Sequence, residues 1–431
     1  MSADSAVQHD PERIVPEPLM PTQTSNTAFA DHVAPVPRSS KPAHIIASDA
    51  EALATAQQLA TRFVVDAARR DRDRSLPHEE LDAASNAGLW AMTVPKAYGG
   101  AQVSYVTVGS VFAILAAADP SIAQIQQNHN SAVFWLWKTG TEEQRAFFLG
   151  EILRGARFGN ANVDVGGRRP TGSTMTIAAD GGGFRLSARK IYSTGALFAD
   201  YVSTIGQDEQ GRRVVAVVPA GHPGMQIVDD WDSFGQKTTA SGTVIFDNVR
   251  LPALNVLPIY RSYEEWPQNA ISQISHVGID AGIARGAIDA TIAFIRQRDA
   301  DSAPSTALLG ADPYVIYQLG ELKTRLHAAE AMMDRAGLAI DSCLADPRQD
   351  TIAEASIAVA EAKALTTEIA IEASNKLFEL AGTRSTHPSF NLDRFWRNAR
   401  VHTLHDAARW KYAAVGNFYL NGERPPTSGQ T

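Results

Sequence analysis

"STMTIAADGGGFRLSARKIYST", residues 173–194, is where the period of this chain changes. Polar and apolar residues alternate on both sides of Asp180-Gly181, as they do along half-buried strands. Asp-Gly is a strong hairpin signal, because both residues tolerate the positive φ that a two-residue turn requires. "RRVVAVVPA" (212–220) and "SGTVIFDNVRLP" (241–252) read as further strands, with Gly, Pro and Asp between them. A β domain is therefore expected over residues 157–262.

Helical spacing flanks it on both sides. Upstream, Leu59, Phe63 and Ala67 recur at i,i+4, and "TGTEEQRAFFLGEILRG" (139–155) opens another helix. Thr141 and Gln144 there have the capping-box spacing, each side chain able to satisfy a free N–H of the first turn. Downstream, Ile274, Val277, Ala281, Ile288, Ile292 and Ile295 mark one long helix. Val315, Leu319, Leu322, Leu326, Ala329, Met333, Ala336 and Ile340 mark a second, a third runs over about 351–380, and a fourth begins near Asp393. Long helices with short connections predict an antiparallel four-helix bundle. The expected class is α+β: a helical domain (44–156), a central β-barrel-like domain (157–262), a four-helix bundle (263–422) and a tail (423–431). Residues 1–43, rich in Pro, Ser and Thr, are expected to form a disordered arm.

Composition narrows the function. A formal charge of −8 over 431 residues offers neither a nucleic-acid footprint nor a polybasic membrane patch. No apolar run approaches the roughly 20 residues of a membrane helix, and the N-terminus lacks a secretory pattern. Cys343 is the only cysteine, so an internal disulfide and a multi-cysteine metal cluster are excluded and a cytoplasmic setting is expected.

Near the C-terminus, "DRFWRNARVHTLHDAARWKY" (393–412) places His402 and His405 three apart, and His402 and Asp406 four apart. On a helix these share a face. By spacing alone they are either a solvated polar face or a site. Zinc is disfavoured, since zinc helices prefer His at i,i+4 with a base between, and no metal is expected.

Four stretches carry a family resemblance: "VPKAYGGAQVSYVTVGSVFAILAAADPSIAQIQQNH" (94–129), "ARKIYSTGALFADY" (188–201), "FGQKTTASGTVIFDNVRLP" (234–252) and "FWRNARVHTLHDAARWKY" (395–412). Over about residues 47–422 the chain resembles the acyl-CoA dehydrogenase superfamily. More closely, it is similar to the flavin monooxygenase branch that contains dibenzothiophene monooxygenase and the sulfur-acquisition oxidoreductases. The resemblance implies a flavin between the β domain and the bundle. Tyr192 would pack on its ring, Thr194 would bond near N5, and Asn160 would meet its edge. Val163 replaces a hydroxyl residue usual in the dehydrogenases, and "GGRR" stands where they carry a Gly-Ser turn for the pyrophosphate; Arg168 or Arg169 there would meet a single phosphate. Their GGxG turn for the adenosine half of FAD reads "LAGTRSTHPSF" (380–390) here, with side chains at Thr383, Arg384 and Ser385. Both losses favour FMN over FAD. Arg298, or alternatively Arg296, matches the arginine that reaches the flavin phosphate of a neighbouring subunit in a homotetramer.

"LHDA" occupies the dehydrogenases' catalytic turn, with Asp406 in place of their glutamate and His405 in place of a tyrosine. The implied activity is a two-component monooxygenase that transfers oxygen from a C4a-hydroperoxyflavin to a small organosulfur compound. O2 is the co-substrate, and FMNH2 comes from a separate NAD(P)H:flavin reductase, because no G-x-G-x-x-G follows a strand. His129, Thr194, His402 and His405 would be the catalytic residues. Tyr192, Asn160, Arg298 and Asp406 would help to bind the cofactor, and Trp231 would wall the substrate pocket. The rivals are an FAD-dependent acyl-CoA dehydrogenase with Asp406 as base and a non-catalytic flavin-binding protein.

Overall fold

The computed structural model describes residues 42–165, 175–303 and 306–427. The arm expected over 1–43 therefore lies outside the described residues, except for Pro42 and the buried Ala43. Arg168 and Arg169 are likewise outside them.

Among the described residues five helices lead: α1 (Asp49–Asp73), α2 (His78–Asn86), α3 (Tyr105–Ala118), α4 (Pro120–Thr139) and α5 (Glu142–Leu153). Thr141 and Gln144 cap α5 reciprocally, as their spacing predicts. Among the described residues nine strands follow: β1 (Phe158–Asn160), β2 (Val163–Asp164), β3 (Ala178–Asp180), β4 (Gly183–Ile191), β5 (Tyr201–Gln207), β6 (Arg213–Pro219), β7 (Met225–Val228), β8 (Thr243–Pro252) and β9 (Val256–Leu257). The turn between β3 and β4 sets Asp180 opposite Gly183, with Gly181 and Gly182 both at positive φ. One sheet runs β1-β5-β6-β9, the other β2-β4-β8-β7 with β3 paired to β4. Inward residues of both, such as Val202 and Val218 against Val244 and Phe246, close a single apolar core.

The bundle consists of α7 (Gln268–Ala300), α8 (Pro313–Ala345), α9 (Gln349–Ala381), α10 (Asp393–Thr403) and α11 (Ala408–Asn421), entered through the short α6 (Tyr260–Glu265). Its fourth helix differs from the sequence expectation, because α10 stops at Thr403 and α11 starts at Ala408. His405 and Asp406 thus lie in a turn and do not share a helical face with His402. The break lets Asp406 turn inward to Lys411, a buried pair that an unbroken helix would not form.

α7 docks on α3 at very short range. A Cβ added at Gly282 would lie 2.4 Å from the carbonyl oxygen of Ala113 and 2.7 Å from Cβ of Ala116. Only glycine permits that approach, and it fixes the helix from which the deepest site residues project. Among the described residues, no helix is long and apolar enough to cross a membrane.

Candidate active site

A cavity of about 550 Å³ opens where the β unit meets the bundle. One wall comes from β1, the segment after β4 and the loop before β8. The other comes from α4, α7 and the α10–α11 turn. Its size falls within the ordinary range of small-ligand sites, about 300–1,000 Å³.

On the β side the backbone is strained. Tyr192, Gln236 and Ala240 all hold φ near +50, at 54°, 50° and 46°. Such conformations cost non-glycine residues about 1–3 kcal/mol each and cluster at functional sites. Gln236 is pinned from three directions. Its N–H donates to Oδ1 of Asn398 on α10 at 2.7 Å, while its carbonyl accepts from Trp231 Nε1 and Thr239 Oγ1, both at 2.9 Å. Gly235 makes this docking feasible, since a Cβ there would lie 2.1 Å from the carbonyl oxygen of Arg397. The Gln236 side chain is fully buried and lines the cavity, yet neither end of its amide has a protein partner. Buried amides are rarely left idle, so this one is set out for a ligand.

A hydroxyl chain continues the wall: Thr194 Oγ1 to Ser241 Oγ at 2.7 Å, then Ser241 Oγ to Thr239 Oγ1 at 2.8 Å. Thr239 donates its one proton to Gln236, so Ser241 must donate to Thr239 and Thr194 to Ser241. Thr194 therefore turns only lone pairs toward the cavity. Asn160 braces the same edge by donating from Nδ2 to the Thr194 carbonyl at 3.1 Å. Tyr192 and Trp231 meet edge to face, with ring centroids 6.1 Å apart.

The bundle side carries imidazoles. His276 of α7 lines the cavity, and the His405 ring stacks on it with centroids 4.3 Å apart and planes 25° apart. His276 Nδ1 meets His402 Nε2 at 3.0 Å, and His402 Nδ1 meets Asp280 Oδ1 at 2.5 Å. Asp280 is also held by Lys363 and by Thr367 Oγ1 at 2.9 Å. Burial alone would raise the Asp280 carboxyl, but Lys363 and His402 hold it well below the usual carboxylate range. Burial and then the cationic potential of His405, His402 and the two lysines push His276 well below the ordinary imidazole value. Surrounding protein, followed by His402 and Lys363, pushes His405 down to about 4. His405 keeps accessible surface because it forms cavity wall.

Four expected site residues do not line this cavity. His129 is wholly buried and does not line the cavity. Its Nε2 meets the Trp90 carbonyl at 2.6 Å and its Nδ1 accepts from Phe158 N–H at 3.1 Å, so no nitrogen is left for substrate. Asp406 is buried against Lys411 and does not line the cavity either. His402 stands behind His276, reaching the cavity only through it. Arg298, half-buried at the end of α7 beside Gly382, lies outside this chain's own cavity. Asn160, Tyr192, Thr194, Trp231 and His405 do converge on it. Sequence reasoning missed His276, Asp280 and Gln236. The available signal for the first two was a histidine and an aspartate four apart in a helix otherwise marked by its apolar spacing.

Three domain models of acyl-CoA dehydrogenases match this chain: N-terminal (residues 48–156), middle (163–249) and C-terminal (274–410). The chain is 30% identical over 398 residues to dibenzothiophene monooxygenase of Mycolicibacterium goodii, covering 87% of this chain and 95% of that one. A probable FMNH2-dependent monooxygenase of Pseudomonas putida is 28% identical, with 88% and 96% covered. The solved structure of FMN-bound TdsC from Paenibacillus sp. A11-2 superposes with a TM-score of 0.82 at 28% identity, covering 88% of this chain and all (100%) of that one.

Proposed function

Since the chain belongs to the flavin-dependent monooxygenase branch of the acyl-CoA dehydrogenase superfamily, we propose that it oxygenates a small organosulfur compound with FMNH2 delivered by a separate reductase. One observation carries this reading above all. The cavity sets a polar edge (the unpartnered amide of Gln236, with Thr194 and Asn160) across from the stacked imidazoles of His276 and His405, while Asp406 is locked to Lys411. A dehydrogenase needs a carboxylate within hydrogen-bond reach of its substrate carbon. Here the imidazoles stand at the cavity and the carboxylate does not.

The residues fit an isoalloxazine. Gln236 offers both a donor and an acceptor, Thr194 an acceptor, and Tyr192 with Trp231 an aromatic flank. FMN is favoured over FAD because Thr383, Arg384 and Ser385 form a tight 3-10 turn, with Ser385 buried, where the dehydrogenases keep open glycine backbone. A reduced flavin bound here would supply the activation of dioxygen that lets one oxygen atom pass to a soft sulfur. The protein's part is to hold and shield that chemistry. Thr194, Asn160 and Gln236 orient the ring edge, and Trp231 and Tyr192 keep water from the sulfur. His405 donates or takes a proton at the oxygen being transferred. Arg298 would close over the flavin phosphate of a neighbouring copy in a homotetramer.

Anaerobic calorimetry comparing reduced FMN with reduced FAD, then reductase-coupled turnover on an organosulfur panel, tests the reading. Tight binding of reduced FMN and formation of S-oxides are expected. A preference for FAD, with acyl-CoA oxidation that depends on Asp406, would sink it.

A further inference from the structure

We propose that His276 is a proton-accepting group of this cavity, held in one tautomer by a relay running inward through His402 to Asp280. The relay is read from proton counting. Asp280 is completely buried, with Oδ2 shared by the Lys363 ammonium and the Thr367 hydroxyl and Oδ1 facing His402 Nδ1. An ionised carboxylate only accepts, so His402 Nδ1 carries its hydrogen. A neutral imidazole has one N–H, so His402 Nε2 is bare and accepts from His276 Nδ1 at 3.0 Å. His276 Nε2 is then bare as well. That atom is buried and has no hydrogen-bond partner in the protein, on a residue that lines the cavity.

The arrangement does more than orient a ring. When Nε2 of His276 takes a proton from a donor in the cavity, its Nδ1 proton passes to His402 Nε2. The cavity donor loses its proton to His276 Nε2, and across the 3.0 Å link the Nδ1–H bond of His276 breaks as an N–H forms on His402 Nε2, so the positive charge comes to rest on His402 against Asp280. His276 is then neutral again in the opposite tautomer, with Nε2–H as a donor. It can return that proton to an oxygen leaving group by the reverse shift. The charge never rests in the stacked pair, where His405 lies 4.3 Å away and a second imidazolium would be repelled. His402 and Asp280 are positioning residues, because they act only through His276. This deepens the oxygenase reading and rests on it for its activity measurement alone.

Asp280→Asn reverses the relay without removing a ring. With its carbonyl oxygen kept on Lys363, the new amide donates to His402 Nδ1, which leaves His402 Nε2–H pointing at His276 and His276 Nε2 protonated. Nitrogen-15 spectra of histidine-labelled protein, assigned by difference against His276→Gln, distinguish a bare imidazole nitrogen from a protonated one. The expected result is a bare His276 Nε2 in the native protein and a protonated one in Asp280→Asn. Sulfur oxygenation should fall about 10²–10⁴-fold while reduced-FMN affinity is kept. Should Asp280→Asn misfold around the unpaired ammonium, Asp280→Asn/Lys363→Met makes the same reversal without it. A protonated Nε2 in the native protein, an unchanged tautomer in both variants, or full activity in His276→Gln each overturns the relay. The expected tautomers together with no S-oxygenation by the native protein would instead remove the oxygenase reading and leave the relay standing.

Discussion

At the scale of single residues, the histidines divide by what their nitrogens already touch. His405 is the one that faces the cavity directly from the turn, so His405→Ala should still bind reduced FMN but release hydrogen peroxide in place of S-oxide. Peroxide yield per FMNH2 consumed measures this. His129 gives a different signal. Burial, against the opposing pull of the Trp90 carbonyl, lowers it to about 3 in the fold, while an unfolded histidine titrates near 6.5. Between those values the unfolded chain binds a proton that the folded chain refuses, so stability is complete above about pH 6.5 and falls as pH drops toward 3. The slope from this group alone reaches about 1.4 kcal/mol per pH unit, and urea midpoints of the native protein and His129→Gln across pH 4–7 will show it flattened in the variant. His402 and His405 were legible because they stand close together in a polar segment. His276 was not, since "ISQISHVGID" reads as a buried helix face and a lone histidine there looks like core. Only the chain's return through α10 and its break reveal what that side chain meets.

At the scale of elements, α7 is both scaffold and site. Its contact with α3 leaves no room at Gly282, so Gly282→Ala should separate the helices and cost about 1–3 kcal/mol. Because His276 and Asp280 ride on the same helix, oxygenation should fall with it. Gly320 on α8 is the contrast. Nothing lies within 4 Å of an added Cβ there, and Gly320→Ala should gain up to about 1 kcal/mol, seen as a higher melting temperature. The elements themselves were largely readable, because 3.6-residue and two-residue periods do not imitate each other. The interruption at Leu404–Ala407 was not, since Ala407 and Ala408 are good helix formers and the reason to stop is the tertiary pairing of Asp406 with Lys411. Asp406→Asn would strand that lysine in the core, a change that typically costs about 3–5 kcal/mol. Its main effect should therefore be on denaturation midpoint and not on proton transfer.

At the scale of the whole molecule, α8 and α11 leave large apolar side chains in the open: Ile316, Tyr317, Leu338, Tyr419 and Leu420 are each more than half exposed. Large exposed apolar side chains such as these are candidates for cover by another subunit. Together with Arg298 lying outside its own cavity, they support a homotetramer. Light scattering should return about four times 46.4 kDa, and a flavin-competent monomer would refute the assembly. The cavity itself has one more implication. Its walls are drawn from the sheets and from the bundle, so whatever fills it staples the two together and raises the cost of opening either. At a hundredfold excess over its dissociation constant, a ligand adds about 2.7 kcal/mol to the folded state. The lifetime of this protein against proteases should therefore follow the supply of its cofactor: where reduced flavin runs short, the empty protein becomes the easier one to degrade.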